Sequence, residues 1–93
     1  MEMHNPAHPG AVLRDIMGKT TVSELARHLD IPRGNLSDII HGHQRISAVV
    51  AWKLGQAFPN SDARMWMDLQ TQYDISQLRK KKLKPIKPLP IAE

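Results

Sequence analysis

Arg33, Asn35, Ser37 and Asp38 crowd into the stretch PRGNLSDIIHGHQR, Pro32 to Arg45. Side chains of these types read nucleic-acid bases. Asparagine pairs with adenine, arginine with guanine or a phosphate, and serine with either base or phosphate. A carboxylate accepts from cytosine N4. A 100° step per residue turns Leu36, Ile39 and Ile40 to one side and Gly34, Asp38 and His41 to the other. Asn35 and Ser37 then lie on the flanks, with Arg33 at the helix start. The N-terminal half of such a helix is the part that reaches base edges in a major groove. Gly34 reads nothing but leaves its backbone open to close approach. His43, Gln44 and Arg45 follow in a loop suited to phosphates. Asp38 sets a problem, because phosphates repel a carboxylate. It either reads cytosine, pairs with Arg33 or Arg45, or meets a protein.

Other chemistry has little support. His41 and His43 lack a third ligand nearby, and the five histidines show no metal-ligand spacing. No cofactor is implied. No nucleophile–base set, paired carboxylates or glycine-rich phosphate loop has a supporting context, so the chain does not read as an enzyme. Trp66 and Tyr73 could stack on single-stranded bases. Their helical spacing favours the core or a dimer contact, and Trp52 stands off the inward stripe of its helix as an interface candidate.

The elements that must hold this stretch are helices, since no apolar/polar alternation marks a strand. Pro9 opens a first helix over 9–17, with Val12, Leu13, Ile16 and Met17 on one side, and Gly18 ends it. Thr21 and Glu24 form a capping-box pattern for a second, which buries Leu25, Ala26 and Leu29. Pro32 fits the first turn of a third, and Gly42 stops it. Ser47 caps a fourth with the stripe Val50, Leu54, Ala57 and Phe58, broken at Pro59-Asn60. Ser61 or Asp62 starts a fifth, with Met65, Trp66, Leu69 and Tyr73 inward, running to about Gln77. Residues 22–41 thus fit a helix-turn-helix. Ala26 is small enough for close approach, Leu25, Leu29 and Ile31 fill the space between the helices, and Asp30 tolerates the positive φ wanted at the turn. Thr21 and Ser23, near the second helix's N-terminus, can donate to phosphate.

The chain has 93 residues and no cysteine, so one small domain must stand on its apolar core. The net charge of +4 suggests a nucleic-acid partner. Its distribution qualifies that. Residues 79–93 carry six of the 13 basic residues, leaving residues 1–78 with seven basic and eight acidic residues. The expected domain, 1–78, is close to neutral. The stretch 79–93 reads as a flexible basic tail, because three prolines and five lysines after Arg79 oppose a packed core. Its lysines could add non-specific phosphate contacts. Apolar runs are too short to span a membrane, and the N-terminal stretch lacks signal-peptide character. A cytoplasmic protein without membrane contact is the expectation.

Several motifs together resemble the HigA-type antitoxins, a branch of the Cro/CI-like (lambda-repressor-like, XRE) helix-turn-helix family. They are His8-Pro9-Gly10 followed by Val12, Leu13 and Arg14; Glu24-Leu25-Ala26; Leu36-Ser37; Gly42; and Ile46-Ser47. The most specific is Trp66 to Asp74, WMDLQTQYD, similar to the family's W-L-N-L-Q-x-x-Y-D stretch. The likeness covers roughly residues 4–78. It implies an all-α five-helix fold and a homodimer on a palindromic operator in its own promoter. It also implies repression of that operon and neutralisation of a RelE-like mRNA-cleaving toxin. Two departures stand out. Asp38 replaces a basic or polar residue, and Val22 replaces a glutamine that contacts phosphate. Asp38 and the near-neutral domain leave open a toxin inhibitor with weak or no DNA binding, and a solitary repressor without a toxin is a further alternative.

Overall fold

The computed structural model describes residues 6–91. Five helices follow one another: α1 (Pro9–Met17), α2 (Val22–Leu29), α3 (Arg33–Ile40), α4 (Ala48–Ala57) and α5 (Ala63–Lys80). No strand occurs among the described residues. Met1 to Asn5 and the last two residues of the tail, Ala92 and Glu93, lie outside them.

Local chemistry sets the helix ends. Thr21 Oγ1 accepts from the Glu24 backbone N–H, and the Glu24 carboxylate accepts from the Thr21 N–H, closing the capping box. The backbone N–H and the hydroxyl of Thr21 hold the Glu24 carboxyl below its ordinary value. Asp30 follows α2 at φ 57° and ψ 51°, in the left-handed region that the turn requires. Its Ile31 neighbour donates back to the Ala26 carbonyl at 3.0 Å. Ser47 and Asp62 cap α4 and α5 through their side chains. Gly42 takes φ 79° just past α3.

The core comprises Leu13, Leu25, Ala26, Leu29, Leu36, Ile39, Ile40, Ile46, Ala51, Leu54 and Trp66. All three apolar residues expected to anchor α3 are buried. So is Trp66, whose indole N–H donates to Ser61 Oγ at 3.0 Å. Four expectations shift. Ile16 remains 43% exposed, because α1 turns Leu13 rather than Ile16 to the core. Pro32 caps α3 instead of entering its first turn. On α4, Ala51 joins Leu54 as the fully buried pair, while Val50, Ala57 and Phe58 pack only at its margin. Finally α5 runs three residues beyond Gln77, to Lys80. Lysine and arginine are good helix formers, and their charge suits a helix C-terminus.

After Lys82, at φ 51°, residues 83–91 have no helix or strand and are exposed. The molecule is accordingly elongated, 53 × 28 × 26 Å. No helix among the described residues is long and apolar enough to cross a membrane.

Candidate nucleic-acid interface

The polar face of α3 rests on a rigid backing. Leu36 and Ile39 are wholly buried, and α3 packs against both α1 and α2. The contact with α1 is unusually close. A β-carbon added at Gly10 would lie 1.9 Å from the Ile39 carbonyl oxygen and 2.9 Å from the Ile40 Cα. Only glycine allows the start of α1 to press on the end of α3.

On the outer face, Arg33, Gly34, Asn35, Asp38 and His41 are exposed, and Ser37 is half-buried. Arg33 Nε donates to Ser23 Oγ at 2.8 Å. This bond ties the start of α3 to the start of α2 and engages only the Nε of the exposed Arg33 guanidinium. The side chains of Asn35, Asp38, His43 and Gln44 form no hydrogen bond among the described residues. Gly34 has open space where a β-carbon would stand. The His41 ring lies 2.8 Å from the Ser37 carbonyl oxygen through Nδ1, which also stands 3.4 Å from the Ser37 hydroxyl. His41 and His43 stack with ring centroids 6.2 Å apart. No group of three or more potential metal ligands occurs among the described residues.

Two sequence candidates are engaged elsewhere. The Thr21 hydroxyl lies 3.0 Å from the Glu24 carboxylate as well as accepting the cap bond, so little of it is left for phosphate. Arg45 pairs with Asp74 of α5. Asp38 therefore pairs with neither arginine considered for it. Arg33 holds Ser23, Arg45 holds Asp74, and the exposed Asp38 carboxylate has no ion-pair partner among the described residues.

The Arg45–Asp74 pair belongs to a clamp that spacing did not reveal. Gln70 is 1% exposed. Its Oε1 accepts from the Ile46 backbone N–H at 2.7 Å, and its Nε2 donates to Asp74 at 2.9 Å. His8 Nδ1 accepts from the Gly10 N–H at 2.9 Å, while its ring meets Tyr73 edge-on at 4.8 Å. Burial lowers the His8 pKa, against the opposing charge of Asp74. For Asp74, burial works against the charged form. Hydrogen bonds from Arg45 and Gln70, with the charges of Arg45 and His8, outweigh it and hold the carboxyl below its usual range. The clamp fixes the loop after α3 to α5.

Two helices packed on each other, a left-handed turn residue between them and an outward polar face on the second define a helix-turn-helix domain. No protein-family model matches the sequence. Over 78 residues the chain is 47% identical to virulence-associated protein A′ of Dichelobacter nodosus, covering 82% of this chain and 68% of that one. An addiction-module antidote protein of the HigA family from Coxiella burnetii superposes with a TM-score of 0.75 at 30% identity, over 89% and 100% of the two chains. A Pseudomonas aeruginosa protein solved in complex with its 28-bp operator DNA superposes with a TM-score of 0.77 at 33% identity, over 90% and 99%. The chain belongs to the HigA-type antitoxins of the helix-turn-helix family.

Proposed function

We propose that this protein is a dimeric, cytoplasmic antitoxin that binds a palindromic operator, represses its own operon and neutralises a RelE-like mRNA-cleaving toxin. The observation that carries the DNA half is the outer face of α3, where exposed polar side chains stand on a buried apolar backing. In this reading α3 enters the major groove. Asn35 takes adenine, and Arg33, its stem held by Ser23, takes guanine or an adjacent phosphate. Ser37 and Asp38 flank them, and Gly34 lets the backbone approach. His43 and Gln44 meet the phosphates, with Arg45 contributing less because Asp74 offsets its charge. Thr21 and Ser23 stand at the α2 N-terminus, where a further phosphate would lie. That a P. aeruginosa neighbour was solved in complex with its operator DNA supports the operator-binding reading.

Two copies related by a two-fold axis would set their recognition helices about 34 Å apart, matching half-sites one turn apart. Fluorescence anisotropy with a duplex from the native promoter and a scrambled control tests the DNA half. Asn35→Ala should weaken operator binding by about 1–3 kcal/mol and leave the scrambled duplex unaffected. Equal binding of both duplexes by the wild-type chain, folded and dimeric, would sink it. Co-purification with the product of an adjacent toxin reading frame tests the other half.

One observation favours a second reading. The exposed, unpaired Asp38 lies in the middle of the proposed groove-facing surface. If α3 instead meets a protein, the toxin will bind this chain while no operator does.

A further inference from the structure

We infer that residues 79–91 form a cationic arm that tracks the phosphate backbone of double-stranded DNA beside the half-site read by α3. The inference rests on the operator-binding reading. Its starting point is where the tail leaves the domain. Gln70 and Asp74 hold Ile46 and Arg45, so α5 lies along the loop that follows the recognition helix. At 1.5 Å per residue, Arg79 and Lys80 stand about 8–9 Å further along the same axis than Asp74. The basic end of α5 thus emerges beside the loop offered to phosphate.

Charge then continues outward without opposition. Residues 75–91 contain six lysines and arginines and no aspartate or glutamate. The ion pairs among the described residues are Arg45–Asp74 and Arg64–Asp68, and neither engages a tail cation. The prolines set the shape. Pro85, Pro88 and Pro90 fix their own φ and keep Lys84, Lys87 and Leu89 out of the helical region. An extended chain of this kind turns once every three residues. Lys81, Lys84 and Lys87 recur at that interval, so Lys84 and Lys87 share one edge about 9 Å apart. Such an arm contributes sequence-independent affinity, and prolines lower the ordering entropy it must lose on binding. Leu83, Ile86 and Leu89 fall on a different edge, 62%, 92% and 77% exposed. A protein groove would take that apolar edge. The position of the cations beside α3's loop favours DNA.

The test uses the full chain carrying K81Q, K82Q, K84Q and K87Q together, with a chain ending at Lys80 as a second variant. Anisotropy is measured on operator and scrambled duplexes from 50 to 200 mM salt. Removing the lysines should reduce the slope of log affinity against log salt by about 2–4 per bound chain. Across that range the wild-type chain should lose about 16–250-fold more affinity than the variant. Both duplexes should respond alike, so the selectivity ratio should hold. Ile86→Ser with Leu89→Ser should leave the slope unchanged. An unchanged slope in the lysine variant overturns the arm, as does a loss reproduced by the apolar variant. Should the wild-type chain not prefer its operator, the operator reading fails instead. The salt slope on scrambled DNA would still decide the arm.

Discussion

Gly10→Ala should destabilise the domain, although alanine is the better helix former. In a helix interior the substitution ordinarily gains up to about 1 kcal/mol. At Gly10 the added β-carbon would meet the Ile39 carbonyl oxygen at 1.9 Å, the Ile39 carbonyl carbon at 2.8 Å and the Ile40 Cα at 2.9 Å. All three are backbone atoms of the buried end of α3, so no side chain can swing aside. The start of α1 must retreat by more than 1 Å, loosening Leu13 and Ile39 in a core that is otherwise closed. Overpacking of this kind costs about 1–3 kcal/mol, and a backbone obstacle belongs at the upper end. Net of propensity, a loss of about 2 kcal/mol is expected, which lowers the Tm of a domain this size by about 8–16 °C. Gly34→Ala is the matched control. It is also in the first turn of a helix, but nothing lies within 4 Å of its added carbon. It should raise the Tm by a few degrees, about 0.5 kcal/mol. Thermal melts followed by circular dichroism measure both. A Gly10→Ala chain that melts at or above the wild type would refute the close contact between α1 and α3.

Gln70→Leu should cost about 2–4 kcal/mol in denaturant melts, since it strands the buried Ile46 N–H and removes a donor from Asp74. Stability should fall as pH drops below about 6.5, the ordinary histidine value, because the lowered His8 pKa favours a neutral ring in the folded state. A second loss should follow below about pH 4, as the depressed Asp74 carboxyl takes up a proton. His8→Gln should remove the first step and leave the second. Asp38→Ala should tighten binding to operator and scrambled duplexes by the same factor, through relief of phosphate repulsion. A drop in the ratio of the two affinities would show instead that the carboxylate reads a base.

What sequence conveyed well was local. Thr21 and Glu24 are three residues apart, and their capping box needs nothing beyond that spacing. Asp30 had to carry a positive φ because few other residue types tolerate one, and it does so at 57°. Leu36, Ile39 and Ile40 repeat at helical intervals, and they are buried. What escaped was long-range. Gln70 looks like a surface residue of a helix until Ile46, 24 positions earlier, brings it a buried N–H. Arg45 looks like a free loop cation until Asp74, 29 positions later, pairs with it. Neither partner is visible from periodicity. The end of α5 was placed early because a lysine run reads as solvated coil, whereas here it extends a helix already nucleated by packing.

The motifs most specific to the antitoxin resemblance turn out to surround the proposed reading surface rather than form it. His8 and Gly10 brace the end of α3 and the edge of Tyr73. Trp66, Gln70 and Asp74 seal the core and fix the loop from Arg45 to Ile46. Arg33, Gly34, Asn35 and Asp38 project from that frame, and none of them contributes to the core. If α3 reads the operator as proposed, stability and operator choice rest on different residues. Asn35→Ala should lower the preference for operator, and Asp38→Ala should raise affinity for any duplex, each moving stability by no more than a surface change does, about 0.5 kcal/mol or less. The clamp residues should do the reverse. They would lower stability, and with it occupancy of any DNA, without changing the ratio of affinities between sequences.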